Sequence, residues 1–223
     1  MTASGYRLLI FDWDGTLADS EHRIIEAVSL ALSELDLPQR TPEEIRNVIG
    51  LGMQECLELL FPHVEPERHT GFINTYRKHF TRRNDSAVAL FPEAKEVLSA
   101  LSSRGYTIAV ATGKSRRGLD RELKESGLDA VVRASRCVDE SPSKPHPQML
   151  EDVLEMTLTS PEDALMIGDT TYDMQMARDA GVDRVGVSYG AHDVARLLEF
   201  GPLEIVDSLR CLQQWLSNRP PRK

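Results

Sequence analysis

Two aspartates, Asp12 and Asp14, close the run Arg7-Leu8-Leu9-Ile10-Phe11-Asp12-Trp13-Asp14-Gly15-Thr16-Leu17, where an apolar segment enters a glycine-containing turn. Desolvating a carboxylate is costly unless a metal, hydrogen bonds or a counter-charge offsets it. Paired acids at the end of a buried strand therefore point to chemistry, and this arrangement suggests phosphate chemistry. Three further polar clusters follow. Thr112-Gly113-Lys114-Ser115 succeeds the apolar Ile108-Ala109-Val110-Ala111, and Lys144 stands within Ser141-Pro142-Ser143-Lys144-Pro145-His146-Pro147. Gly168-Asp169-Thr170-Thr171-Tyr172-Asp173 succeeds Leu165-Met166-Ile167. Each has an ordinary alternative, since Asp orients turns, Thr-Gly caps helices, loop lysines are solvated and Asp173 favours a helix N-terminus. Jointly they supply a paired acid, a hydroxyl, a cation and a second acid pair, each beyond a strand.

The elements that must position these groups are legible as changes of period. Residues 8–12 read as a buried strand, and 20–35 switch to helical spacing with Ile24, Val28, Ala31, Leu32 and Leu35 on one face. Helical signals continue to about residue 85: Pro42-Glu43-Glu44 after Thr41, an apolar-periodic 53–61, and 66–83. After Phe91-Pro92 short apolar strands, expected at 106–111, 130–134, 164–167 and 184–187, alternate with helices near 115–126, 147–156, 171–180 and 208–216. That alternation predicts an α/β fold whose parallel sheet is covered on both faces. Ligands of such sheets gather beyond the carboxyl ends of the strands, where all four clusters fall. The expected domains are an α/β core over 1–18 and 86–223 and an inserted all-helical unit over 19–85, with hinges at 16–19 and 85–91.

The chain of 223 residues suffices for one core carrying a smaller insertion. Its net charge of −9 opposes nucleic-acid backbones, so no nucleic-acid partner is expected. No apolar stretch is long enough for a bilayer and the N-terminus carries no signal-peptide pattern, so no membrane partner and a cytoplasmic location are expected. Cys56, Cys137 and Cys211 lie far apart and read as reduced packing residues. Gly113-Lys114-Ser115 looks like the end of a P-loop, but that motif needs glycine where Ile108 stands.

The motifs Asp12-x-Asp14-Gly15-Thr16, Thr112, Lys144-Pro145-x-Pro147 and Gly168-Asp169-x-x-x-Asp173 resemble those of the haloacid dehalogenase-like superfamily, especially its phosphoglycolate phosphatase-like branch. The resemblance covers nearly the whole chain. It implies a three-layer α/β/α, Rossmann-like core with the helical insertion as a cap, and a Mg²⁺-dependent phosphatase acting through an aspartyl-phosphate. Asp12 would be the nucleophile and Asp14 the general acid and then base. Mg²⁺ would be held by the Asp12 carboxylate, the Asp14 backbone carbonyl and Asp169. Thr112 and Lys144 would hold phosphate oxygens, with Asp173 orienting Lys144 or a metal-bound water. The family pattern often has Asn after the motif-two hydroxyl, where this chain has Gly113 beside the substrate.

Within the superfamily, dehalogenases lack an acid at the position of Asp14, and phosphonate-cleaving relatives use a cap lysine, whereas the first lysine here is Lys78. The expected substrate is a small phosphorylated metabolite, with 2-phosphoglycolate leading by similarity. A sugar-phosphate mutase or pyrophosphatase on the same core, and a non-catalytic phosphate-binding or interaction module, are the alternatives. Substrate choice is expected near Gly50 and Gly52, whose glycines let backbone approach a ligand. Arg46, His22, His146 and the basic residues Arg77, Lys78, His79, Arg82 and Arg83 are expected in surface or loop roles. The assembly is expected to be a monomer or homodimer.

Overall fold

Every residue of the strand β1 (Leu8–Phe11) is buried, because β1 lies at the centre of the sheet with a layer on each face. The structure, a computed structural model, describes residues 5–63, 66–82 and 89–219. Beside β1 lie β2 (Thr107–Thr112) and β4 (Ala164–Gly168), flanked by β3 (Val132–Cys137), β5 (Asp183–Val187) and β6 (Ile205–Val206) in the order β3-β2-β1-β4-β5-β6. All pairings are parallel. The order reverses between β2-β1 and β4, and a crevice opens at such a switch point.

Alternation along each strand builds two cores. Leu9, Phe11, Ile108, Val110, Leu165 and Ile167 pack with α5 (Ala94–Ser103), α6 (Arg116–Ser126) and α10 (Leu209–Asn218). Leu8, Ile10, Ala109, Ala111 and Met166 turn to the opposite face, against α7 (Gln148–Thr157) and α8 (Thr171–Asp179). The result is the three-layer α/β/α arrangement expected above.

Among the described residues four helices run between β1 and α5, α1 (Glu21–Glu34), α2 (Pro42–Arg46), α3 (Met53–Leu60) and α4 (Pro66–Arg82). They bury a core of their own around Val28, Leu32, Ile45, Leu57 and Phe72. Thr41 starts α2 with a capping box to Glu44, as Pro42-Glu43-Glu44 suggested. The connector at 16–19 pairs with the returning chain: Asp19 donates to the Ala89 carbonyl at 2.8 Å and Phe91 to that of Leu17 at 2.9 Å. Of the second expected hinge, residues 85–88 lie outside the described residues, as does Arg83.

Among the described residues three elements were not anticipated: the short 3₁₀ turn Pro161–Asp163, β6 and the five-residue α9 (Val194–Leu198). The third strand begins and ends later than the expected 130–134. Among the described residues no helix is long and apolar enough to cross a membrane.

Candidate active site

The ends of β1, β2 and β4, with the loop after β3, bring Asp12, Thr112, Lys144, Asp169 and Asp173 into one buried centre, each at most 1% exposed. Asp12 and Asp169 extend neighbouring strands, since Asp12 N–H donates to the Ile167 carbonyl at 2.9 Å. Lys144 reaches in from its loop, with Nζ 2.7 Å from Asp12 Oδ1 and 2.7 Å from Asp173 Oδ1. Asp173 is held from behind, because its Oδ2 accepts from the Thr170 hydroxyl at 2.7 Å and the Thr170 N–H at 3.1 Å. The helix-capping reading of Asp173 and its contact with Lys144 are therefore both realised, one on each carboxylate oxygen.

Asp169 is fixed by the Thr16 hydroxyl at 2.8 Å on Oδ1 and by the Ala191 N–H at 2.8 Å on Oδ2. Tyr189 in turn donates to the Thr16 carbonyl. The turn that carries Thr16 passes over Asp169 at Gly15, whose φ is +86° and whose added Cβ would meet Asp169 Oδ2 at 2.2 Å. Both the conformation and the close approach require glycine.

Asp12, Asp169 and Asp173 each offer a ligand oxygen within 4.8 Å of the others. When ionised, three carboxylates against the one ammonium of Lys144 would leave two excess negative charges. Asp12 Oδ2 is buried without a hydrogen-bond partner. Burial pushes the Asp12 carboxyl well above its ordinary range; Lys144 opposes the rise, while Asp173 and Asp169 add to it. Burial and the Asp173 charge push Asp169 up to about 7. For Lys144 burial acts downwards, but the Asp12 and Asp173 carboxylates outweigh it and the ammonium is held above its usual range. A divalent cation answers both the excess charge and the orphaned Oδ2, and the all-oxygen donor set suits Mg²⁺. Asp173 stands within the same cluster, where the sequence pointed to the Asp12 carboxylate, the Asp14 backbone carbonyl and Asp169.

Asp14 occupies different surroundings. Ser20 donates to its Oδ1 at 2.7 Å and Lys114 Nζ lies 3.1 Å from its Oδ2. Lys114 is 3.4 Å from Glu122 Oε1, and Glu122 Oε2 accepts from Trp13 Nε1 at 2.6 Å. Sequence reasoning met Lys114 only as the end of a rejected P-loop pattern and passed over Glu122. The signal for Glu122 was available: it shares the inward face of α6 with Leu119 and Leu123 and is 1% exposed. Burial lowers the Lys114 proton affinity, yet Asp14 and Glu122 hold it above the ordinary value.

The loop at 49–52 reaches this centre. A Cβ on Gly113 would meet the Gly50 and Leu51 carbonyl oxygens at 2.5 and 2.6 Å, so that approach excludes any larger residue. Gly52 N–H donates to Ser143 Oγ at 2.8 Å, and Tyr172 donates to the Asn47 carbonyl at 2.8 Å. The other candidates lie away from the carboxylate centre. Arg46 pairs with Glu21, Lys78 and His79 with Glu34, His146 accepts from the Gln148 N–H, and His22 is exposed.

The description "Haloacid dehalogenase-like hydrolase" matches residues 9–187. The chain belongs to this family. Among relatives of the haloacid dehalogenase-like hydrolase described here, "Probable phosphatase IndB" of Dickeya dadantii is 35% identical across 90% of this chain and 89% of its own. "Pyrophosphatase PpaX" of Anoxybacillus flavithermus is 28% identical across 87% and 89%. A hydrolase from Pseudomonas syringae shares the fold, with a TM-score of 0.87 at 24% identity over 99% of this chain and 100% of that one. The haloacid dehalogenase-like hydrolase described here is thus a phosphatase-type enzyme with the fold expected from its motifs.

Proposed function

We propose that this phosphatase hydrolyses a small organic phosphomonoester through an aspartyl-phosphate on Asp12, with Mg²⁺ as cofactor. The observation that carries the reading is the contrast between two acids two residues apart. Asp12 is buried with an unpartnered oxygen facing the carboxylate cluster, whereas Asp14 is turned towards Ser20 and Lys114 and lines a cavity. Asp12 attacks phosphorus, forming an acyl phosphate as the bond to the leaving oxygen breaks, and Asp14 donates a proton to that oxygen. Asp14 then takes a proton from water, whose oxygen attacks phosphorus, releasing orthophosphate and restoring Asp12. Lys144, steadied by Asp173, and Thr112 hold the non-bridging oxygens.

Asp12, Asp169 and Asp173, with the Asp14 carbonyl implied by family resemblance, would hold Mg²⁺. When bound, the ion supplies positive charge that screens an anionic phosphoryl group from the attacking carboxylate. The helices α1–α4, as a cap over residues 19–85, would cover the site and exclude water.

The test is orthophosphate release from a panel of 2-phosphoglycolate, sugar phosphates and pyrophosphate. Turnover is expected with Mg²⁺, is expected to vanish in chelator and to return when Mg²⁺ is restored. An unchanged rate in chelator rejects the metal, and no release from any ester points to a phosphate-binding module. Pyrophosphate turned over best would favour the activity named for the PpaX relatives. Asp14→Asn is expected to lose about 10²–10⁴-fold in turnover, the range of general acid-base catalysis, with the larger loss on alkyl than on activated aryl esters. Equal losses on both ester types would remove the acid role.

A further inference from the structure

The active site opens into a cavity of about 790 Å³, shared between the core and the helices α1–α4. Asp14, Gly113 and Lys114 are among its lining residues, so it is continuous with the place where the leaving group must stand. Beyond them the wall is built from Val28, Val48, Leu57, Phe72 and Phe80, each 8% exposed or less. Packed interiors hold few voids larger than a water molecule, so a space of this size is not residual packing. It falls within the roughly 300–1,000 Å³ of ligand pockets.

We infer that this cavity receives an extended apolar leaving group, so that the substrate is a phosphomonoester of an apolar alcohol, not phosphoglycolate or pyrophosphate. The inference rests on the phosphatase reading above and specifies its substrate class. Both rejected leaving groups are small anions, and they need unspent positive charge. Among the described lining residues the one largely buried cation is Lys114, and it already faces Asp14 and Glu122. Lys78 and Arg121 are about a third exposed or more and are paired with Glu34 and Glu122, although Arg121 keeps a buried Nε without a hydrogen-bond partner, while Arg77 and Arg117 are exposed, where solvent screens their charge. Lys114 is also placed 4.9 Å from the Phe80 ring centroid, which leaves its stem and that ring as the border between the polar and apolar parts. Phosphate would be bound at the strand ends and the ester's hydrocarbon body beneath α1, α3 and α4.

The test uses the full chain with Mg²⁺ and two homologous series. Methyl, propyl and hexyl phosphonates, which cannot be hydrolysed, report binding by calorimetry; ethyl and hexyl phosphates, whose alcohols have nearly equal basicity, report kcat/KM. Affinity is expected to rise about four-fold per added methylene, the effect of burying one CH₂. Hexyl phosphate is expected to exceed ethyl phosphate in kcat/KM by about a hundred-fold or more on the same per-methylene scale, and to exceed 2-phosphoglycolate and pyrophosphate as well. Val48→Phe, which narrows the cavity, is expected to lower the hexyl-to-ethyl ratio relative to the parent protein. If that variant does not fold, the phosphonate series on the parent protein decides alone. An affinity that changes less than two-fold from methyl to hexyl overturns the inference, as does tighter binding of 6-phosphonohexanoate than of hexyl phosphonate. Turnover of ethyl phosphate alongside a flat series leaves the phosphatase reading standing. Chain-length-dependent binding without hydrolysis of any ester overturns that reading and keeps the cavity's apolar occupant.

Discussion

Asp12→Asn is expected to fold, to lose on the order of 10⁴-fold or more in phosphatase turnover, and to be at least as stable as the parent protein in chelator. The loss follows from chemistry: an amide cannot form the acyl phosphate. The stability follows from the cluster. Asp12, Asp169 and Asp173 crowd three carboxylates around one ammonium, and burial together with the two neighbouring charges makes ionised Asp12 costly. Replacing it by an isosteric neutral group removes one buried charge, while Lys144 keeps its aligned hydrogen bond to Asp173. Relief of one of three buried carboxylates that share a single ammonium is worth about 1–3 kcal/mol. Turnover within ten-fold of the parent would remove the nucleophile assignment. A lower melting temperature in chelator would show that Asp12 stabilises the metal-free fold, against the charge balance argued here.

The parts of this molecule that were legible in its sequence are those encoded locally. Leu8 to Phe11 and Ala164 to Ile167 are continuous apolar runs because central parallel strands are covered on both faces, and the acids follow them directly. The edge strand β3 is harder to read, since Arg133 is exposed, Ser135 and Arg136 are half-buried and only Ala134 and Cys137 are buried. β6 has two residues and α9 five, too few for a period to register. The site divides in the same way. Motif residues announce themselves by type and position, but the pairing of Lys114 with Asp14 depends on how β1 and β2 lie together. Trp13 meets Glu122 across 109 positions. Gly113 is explained only in three dimensions, where the Gly50 and Leu51 carbonyls occupy the space of a side chain. The cavity, too, is a property of how four amphipathic helices leave their middle unfilled.

Lys144→Met should be the most damaging of the changes for stability, with a cost that depends on pH in a defined direction. The methionine nearly matches the lysine in length and removes the charge that lies 2.7 Å from both Asp12 and Asp173. Breaking such a buried arrangement costs about 3–5 kcal/mol. The sign follows from Asp169, whose carboxyl is held at about 7 in the folded protein against an ordinary 3.8. Between about pH 4 and 7 the folded state therefore holds protons that the unfolded chain has released, and this group's contribution to stability falls as pH rises, levelling off above 7. Lys144 lowers the proton affinity of Asp12 and Asp169. Its removal raises both further, so the decline in the variant should be steeper and extend beyond pH 7. Exposed carboxylates held low by their partners, such as Glu34 and Glu44, are common to both proteins and cancel in the difference. Urea unfolding in chelator is expected to show a deficit for Lys144→Met that is smaller at pH 5 than at pH 8, together with a turnover loss on the order of 10³-fold from the missing phosphate contact. A deficit equal at the two pH values would mean that the lysine acts by packing alone, and the charge balance assigned to the three aspartates would fall with it.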